Sequence, residues 1–221
     1  IEIIRGPGSS LWGANAVNGV VNIVTKSSRA TQGGFIEAGG GNLGQDISIR
    51  YGWQLDDGLH MRIYDKQRWY NGFQAGDRDW RVNQRGFRLD YDINENNLLT
   101  LQGDNWRGDF QDDRIQPTTT PKSTVHGGNA LIRLTSNHGD SSQTVSQFYY
   151  DTQEWYTIPH KRRTYDLDVQ HSFAASGRHA VIIGANGRYT RGRFDNEPLF
   201  PLYIGDDDNY IVSAFIQDTI S

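Results

Sequence analysis

The sequence predicts an all-β protein, the wall of a transmembrane antiparallel up-and-down β-barrel. Three observations carry this. From about residue 33 apolar and polar residues alternate with a period of two, the mark of strands with one apolar and one polar face. The segments between the alternating runs are short and long by turns, as tight turns on one side of a membrane and long loops on the other would be. The mean hydropathy is very low, −0.68, yet 12% of residues are aromatic. That pairing excludes disorder, because disordered chains lack aromatics. It suits a sheet with one face in lipid and the other lining a lumen.

The alternation is explicit. Ile47, Ile49, Tyr51, Trp53 and Leu55 share one face, and Asp46, Ser48, Arg50, Gly52 and Gln54 the other. Leu59, Met61 and Ile63 stand against His60, Arg62 and Tyr64; Phe87, Leu89, Tyr91 and Ile93 against Arg88, Asp90 and Asp92. Tyr165, Leu167, Val169, His171 and Phe173 stand against Thr164, Asp166, Asp168 and Gln170. Strands are expected near 33–40, 45–55, 58–66, 84–93, 97–106, 127–136, 142–152, 162–173, 178–190 and 209–220. Several reach about ten residues, longer than most soluble strands and enough to cross a bilayer at a tilt.

After the first, the connections sort by parity. Residues 55–58, 94–97, 136–141 and 175–178 are short; 66–83, 107–126 and 191–209 are long, and 153–161 is intermediate. A soluble sandwich has no reason to sort its loops this way. Trp53, Trp106, Trp155 and Tyr189 lie near strand ends and are candidates for interfacial girdles, against the plainer reading that aromatics favour any strand.

The bulk numbers exclude other classes. A net charge of −4 lacks the basic footprint of a nucleic-acid binder. There are no cysteines, so no disulfide framework or thiolate site. No apolar run is long enough for a membrane-spanning helix, and no secretory leader is visible. The chain begins in a strand-like run (Ile1, Ile3, Ile4) and ends in another, "YIVSAFIQDTIS", so it reads as a piece of something longer.

The first 26 residues differ from the rest. Gly8 and Gly13 have the spacing of a phosphate-binding loop, but Ala14-Asn15 stands where Lys-Ser/Thr is needed, and Gly6-Pro7-Gly8 before Leu11 fails the dinucleotide pattern. The stretch Ile1-Glu2-Ile3-Ile4-Arg5-Gly6-Pro7-Gly8-Ser9-Ser10-Leu11-Trp12-Gly13-Ala14-Asn15-Ala16-Val17-Asn18-Gly19-Val20-Val21-Asn22-Ile23-Val24-Thr25-Lys26 instead resembles the end of the plug domain of TonB-dependent outer-membrane receptors. The match is long and ungapped, with Trp12 for the usual Tyr and Val21 and Val24 for Ile. The later alternating runs resemble barrel strands of the same family more loosely.

The resemblance implies a 22-stranded barrel filled by a globular plug. Residues 1–26 would be the end of the plug, 27–32 a linker, and 33–221 the first part of the barrel, about ten strands. Val20, Val21, Ile23 and Val24 would form a strand buried on both sides. Arg5, with Gly6 and Pro7, would contact the barrel, Arg5 pairing with an inward carboxylate or, in the plainer reading, standing solvated in a turn. The implied partners are outer-membrane lipid, a small-molecule ligand and the TonB energy-coupling complex, engaged upstream of Ile1. The implied place is the bacterial outer membrane. The implied work is energised import of a scarce bulky ligand, a ferric siderophore first, with cobalamin or an oligosaccharide as alternatives.

No enzyme is expected and no cofactor beyond a transported chelate. The six histidines lack metal-ligand spacing, and Asp112-Asp113 and Asp206-Asp207-Asp208 fit solvated loop charge better than a calcium loop. Ligand contacts are expected in the long external loops: Trp69, Tyr70, Phe73, Trp80, Arg81, Tyr156, His160, Lys161, Phe200 and Tyr203, aromatic and basic groups that suit an anionic ring-bearing chelate, against simple loop packing. Two other classes compete. A soluble aromatic-rich carbohydrate-binding module explains the Trp and Tyr count but not the loop parity. A passive porin has no plug, so the first 26 residues oppose it.

Overall fold

Cross-strand hydrogen bonding turns the alternating runs into a single meander. The structure, a computed structural model, describes residues 1–5, 19–70, 79–111, 122–155, 160–194 and 206–220. Two short strands, β1 (Glu2–Arg5) and β2 (Gly19–Asn22), pair antiparallel in a sheet of their own. A 3-10 turn, Arg29–Thr31, follows. Ten further strands then pair strictly with their sequence neighbours. They are β3 (Gly33–Gly41), β4 (Gly44–Asp56), β5 (Leu59–Tyr70), β6 (Trp80–Asn94), β7 (Asn97–Gln111), β8 (Lys122–Asn137), β9 (Ser142–Trp155), β10 (His160–Ser176), β11 (His179–Phe194) and β12 (Asp207–Ile220). The sheet is open in this chain, with β3 and β12 as its edges.

All ten expected strands are present, and the parity of the connections holds except at 156–159, which is as short as 138–141 at the opposite end. At one end the strands join through residues 57–58, 95–96, 138–141 and 177–178. In the first of these turns Gly58 takes a φ of 79°, a left-handed conformation a glycine adopts at no steric cost. At the other end 42–43 and 156–159 are short as well, and 71–79, 112–121 and 195–206 are longer. The strands themselves run beyond the expected bounds on this side: β6 starts at Trp80 and β8 at Lys122. The pairing continues because the backbone ladder does not need the apolar alternation to continue with it. Trp69, Tyr70, Trp80, Arg81, His160 and Lys161, expected in loops, therefore stand on strand ends.

The two faces are inverted relative to a water-soluble sheet. Among the described residues the buried side chains are nearly all polar: Ser28, Thr31, His60, Asp90, Thr100 and Asp166, with Val125 as the apolar exception. Leu167, Val212 and Ile216 stand exposed. Free energy of this sign is satisfied only if the apolar face meets lipid and the polar face meets a lumen. The inner face is identified by what lies on it: residues 25–31 pack against Arg62, Arg88 and Asp90.

The strand expected to be buried on both sides is open in this chain. β2 ends at Asn22, and Val21, Ile23 and Val24 are 61%, 65% and 72% exposed. A two-stranded ribbon has no second layer to cover its faces, so these side chains are left open in this chain.

Candidate functional site

The segment expected to be a linker is fastened to the wall. Ser28 is completely buried. Its backbone N–H donates to Asp90 Oδ2 at 2.6 Å. Its hydroxyl lies 2.7 Å from the same oxygen and 3.0 Å from the His60 carbonyl; having one proton, it gives it to the charged acceptor. Asp90 Oδ1 accepts from Thr100 Oγ1 at 2.8 Å and from Arg88 Nη2 at 2.8 Å. Arg88 in turn donates to Thr25 Oγ1 at 2.9 Å, and Arg62 to the Lys26 carbonyl at 2.7 Å. An Arg29–Asp92 ion pair closes the rim. Every oxygen of the buried carboxylate is thus used, the condition under which a buried charge is tolerated. Gly52 permits the approach, since a Cβ there would fall 2.2 Å from the Thr31 carbonyl oxygen.

At the other end of the strands an aromatic collar lines the inner face. Tyr70 opposes Trp80 in register, and Trp80 opposes Phe110. Further round, Val125 opposes Trp155, Trp155 opposes His160, and His160 opposes Phe194. The Tyr70 and Trp80 rings stack at 5.3 Å, Phe110 meets Trp155 edge-on at 6.1 Å, and His160 stacks on Phe194 at 4.3 Å. Burial lowers the pKa of His160, which sits outside the membrane-crossing part of β10, so its ring stays neutral at pH 7. Below the collar a cavity of about 410 Å³ is lined by Trp80, Lys66, Arg68, Gln84, Glu37 and Asp46. A second, of about 390 Å³, lies beside the Ser28–Asp90 contact, among Arg50, Arg62, Lys66, Arg88 and Asp104. Aromatic planes and cations facing one space are suited to an anionic ring-bearing guest.

The outer face has its own landmark. Tyr150, Tyr165, Tyr189 and Tyr210 oppose one another in register on four successive strands, with ring centroids 5.1, 6.1 and 4.6 Å apart. On one side of this ladder the outward residues are apolar (Phe148, Leu167, Val169); on the other they are charged (Arg163, Arg191, Asp208). That boundary is where an aromatic belt meets headgroups.

The candidate residues divide accordingly. Tyr70, Trp80 and His160 face the lumen. Trp69 and Arg81 face outward, the guanidinium 5.3 Å from the Trp69 ring centroid, and Lys161 turns outward to Glu154 at 2.9 Å. Phe73, Tyr156, Phe200 and Tyr203, and Gly6 and Pro7 of the plug–barrel contact, lie outside the described residues. Arg5 is exposed at the end of β1 and forms no ion pair among the described residues. Trp53 and Tyr189 face outward as girdle residues should, but Trp106 and Trp155 face the lumen, in phase with Gln102 and Gln153. Phe110, Trp155 and Phe194 are collar members that the sequence reading misses; strand parity counted from Asp104, Asp151 and Arg188 is the signal. No cluster of three or more potential metal ligands occurs among the described residues.

No protein-family model matches the chain. It is 35% identical over 99 residues to the vitamin B12 transporter BtuB of Vibrio cholerae, which is 41% of this chain and 15% of the transporter. It is 28% identical over 113 residues to an iron-regulated outer membrane virulence protein of the same species, covering 46% of this chain and 17% of that protein. In fold, 99% of the chain superposes on the ferric enterobactin receptor PfeA of Pseudomonas aeruginosa with a TM-score of 0.76, at 14% identity, covering 41% of that receptor. The chain therefore spans well under half the length of these proteins.

Proposed function

Taking the chain as part of a TonB-dependent outer-membrane receptor, the family to which it belongs, we propose that it serves the energised import of a bulky metal chelate, a ferric siderophore in the first reading. The aromatic collar carries this reading. Trp80 stands at once in the collar and in the wall of the cavity that holds Lys66 and Arg68. A catecholate-type ferric complex offers that surface both ring faces and negative charge. Cobalamin is the second reading, favoured by the likeness to a vitamin B12 transporter.

Residues 1–26 act in this reading as the end of the plug, 27–32 as its tether and 33–221 as barrel wall. Arg5, Gly6 and Pro7 belong to the plug–barrel contact, and the rest of the plug covers Val21, Ile23 and Val24. TonB pulls on the plug, and the work is binding and gating with no bond chemistry. The Ser28–Asp90 contact is the fixed point about which the plug moves.

The receptor carrying this chain tests the assignment by ligand titration. Trp80→Ala weakens binding of the ferric chelate about tenfold, roughly 1.4 kcal/mol, and Trp69→Ala, on the opposite face, leaves it unchanged. Equal losses at both positions would remove the collar from the binding site. Tight binding of cobalamin with none of ferric siderophores selects the second reading.

A further inference from the structure

On the outward face of β10 and β11, like charges stand directly opposite one another twice in succession. Lys161 opposes Arg193, and Arg163 opposes Arg191. Side chains in such positions are nearest neighbours across the strands, and like charges there repel. Three of the four have a carboxylate nearby: Lys161 has Glu154 at 2.9 Å, Arg191 has Asp208 at 3.7 Å and Arg193 has Asp206 at 3.8 Å. The last two distances are too long for hydrogen bonds, and Arg191 Nε is buried with no acceptor among the described residues. Arg163 forms no ion pair among the described residues. Among the described residues the square of four cations thus lacks acceptors at its centre.

Its position says where the acceptor comes from. Tyr165 follows Arg163 by two residues and belongs to the tyrosine ladder. Beside it a cleft of about 300 Å³ opens on the outer face, with Tyr150, Thr152, Glu154, Lys161 and Arg163 in its wall. Beyond the tyrosines the outward face is apolar, through Phe148, Leu167 and Val169. An anion seated on the square therefore has hydrocarbon-facing surface directly beneath it. A soluble anion gains nothing from that surface; a lipid, whose acyl chains run along it, does.

We propose that Lys161, Arg163, Arg191 and Arg193 form a binding site for the phosphate of a lipid headgroup in the leaflet that surrounds the outer rim of the barrel. The two arginines Arg163 and Arg191 supply the paired donors that match phosphate geometry, and Lys161 and Arg193 add charge. The proposal rests on the outer-membrane reading and not on which ligand is imported.

The test uses the receptor carrying this chain, extracted from native outer membranes, with bound lipid counted by native mass spectrometry. Folding is checked by the heat-dependent gel shift of intact barrels. The wild type retains a phosphorylated glycolipid in preference to the same lipid without phosphates, and millimolar inorganic phosphate does not displace it. The double variant Arg163→Gln/Arg191→Gln loses that retention by about tenfold or more. In lipid-free detergent it unfolds at the same or a higher temperature, because a repulsion has been removed. Retention independent of the lipid phosphate, displacement by free phosphate, or a lower unfolding temperature of the double variant in lipid-free detergent would each overturn the proposal. Uptake is read in parallel: the import reading fails on uptake and this one on lipid retention, so the two failures are distinct.

Discussion

Ser28 and Asp90, 62 residues apart in sequence, meet through two hydrogen bonds to one carboxylate oxygen, 2.6 Å from the backbone N–H and 2.7 Å from the hydroxyl. This contact joins the segment after β2 to the sixth strand, and it sits in a network that also takes in Arg88, Thr100 and His60. The segment after β2 is thereby fixed to the ten-stranded sheet before β3 begins.

Removing the hydroxyl leaves Asp90 one donor short. Ser28→Ala should cost about 1–2 kcal/mol in barrel unfolding. Asp90→Ala should cost more, about 3–5 kcal/mol, since it takes the carboxylate away from the largely buried Arg88 guanidinium. Both should raise the leak conductance of the ligand-free receptor in planar bilayers, as should Arg5→Ala if Arg5 pairs with the wall. Conductance unchanged in Ser28→Ala would take the clamp out of the gating account.

Gly52 is the close-approach position. A methyl group there meets the Thr31 carbonyl oxygen at 2.2 Å, a clash with backbone that no rotamer relieves. Gly52→Ala should therefore lift the Arg29–Thr31 turn from the wall while leaving the ten-stranded sheet paired. Limited trypsin digestion reads this directly, with cleavage after Lys26 and Arg29 accelerated. Protection equal to the wild type would contradict the packing described.

The assignment of faces is tested by adjacent residues. Val169 faces outward below the tyrosine ladder, and Asp168 faces the lumen. Val169→Arg should cost about 2–4 kcal/mol in membrane stability, the cost of a cation on the lipid face near mid-depth. Asp168→Asn should cost under about 1 kcal/mol. Reversed costs would invert the sheet.

A pH effect is expected at the outer rim, beyond the membrane-crossing part of β9. The Lys161 ammonium donates to Glu154 and holds its carboxyl below the usual carboxylate range. A depressed folded-state pKa contributes stability that is fully present above the unfolded value, near 4.3, and is lost as pH falls through the folded value. With both side chains about one-third exposed, the contribution stays below about 1 kcal/mol. Thermal unfolding of wild type and Glu154→Gln should differ at pH 7 and converge in acid; a difference independent of pH would contradict the pairing.

Much of this was legible in the sequence, for physical reasons that also mark where legibility ended. The strand count follows from the period of two, since a lipid face and a lumen face leave no room for slippage by one residue. The outer strand ends were read short because beyond the lipid the apolar residues that mark the alternation thin out while the backbone ladder continues, as it does from Gln84 out to Trp80. Proximity to strand ends alone suggests the girdle for Trp106 and Trp155; their parity with Gln102 and Gln153 puts them in the lumen. The Ser28–Asp90 contact was illegible, because nothing local in "SSRAT" announces a partner on the sixth strand. The cation square needed the β10–β11 register, which sets Arg163 against Arg191.

The measurement that tests the central claim most directly is uptake in cells. The gene for the receptor carrying this chain is deleted and restored, and uptake of radiolabelled ferric siderophores, cobalamin and oligosaccharides is followed with and without a proton uncoupler. The account predicts that uptake of one metal chelate disappears on deletion, returns with the gene, and is abolished by the uncoupler. Uptake unchanged by deletion, or a restored uptake insensitive to the uncoupler, would contradict it.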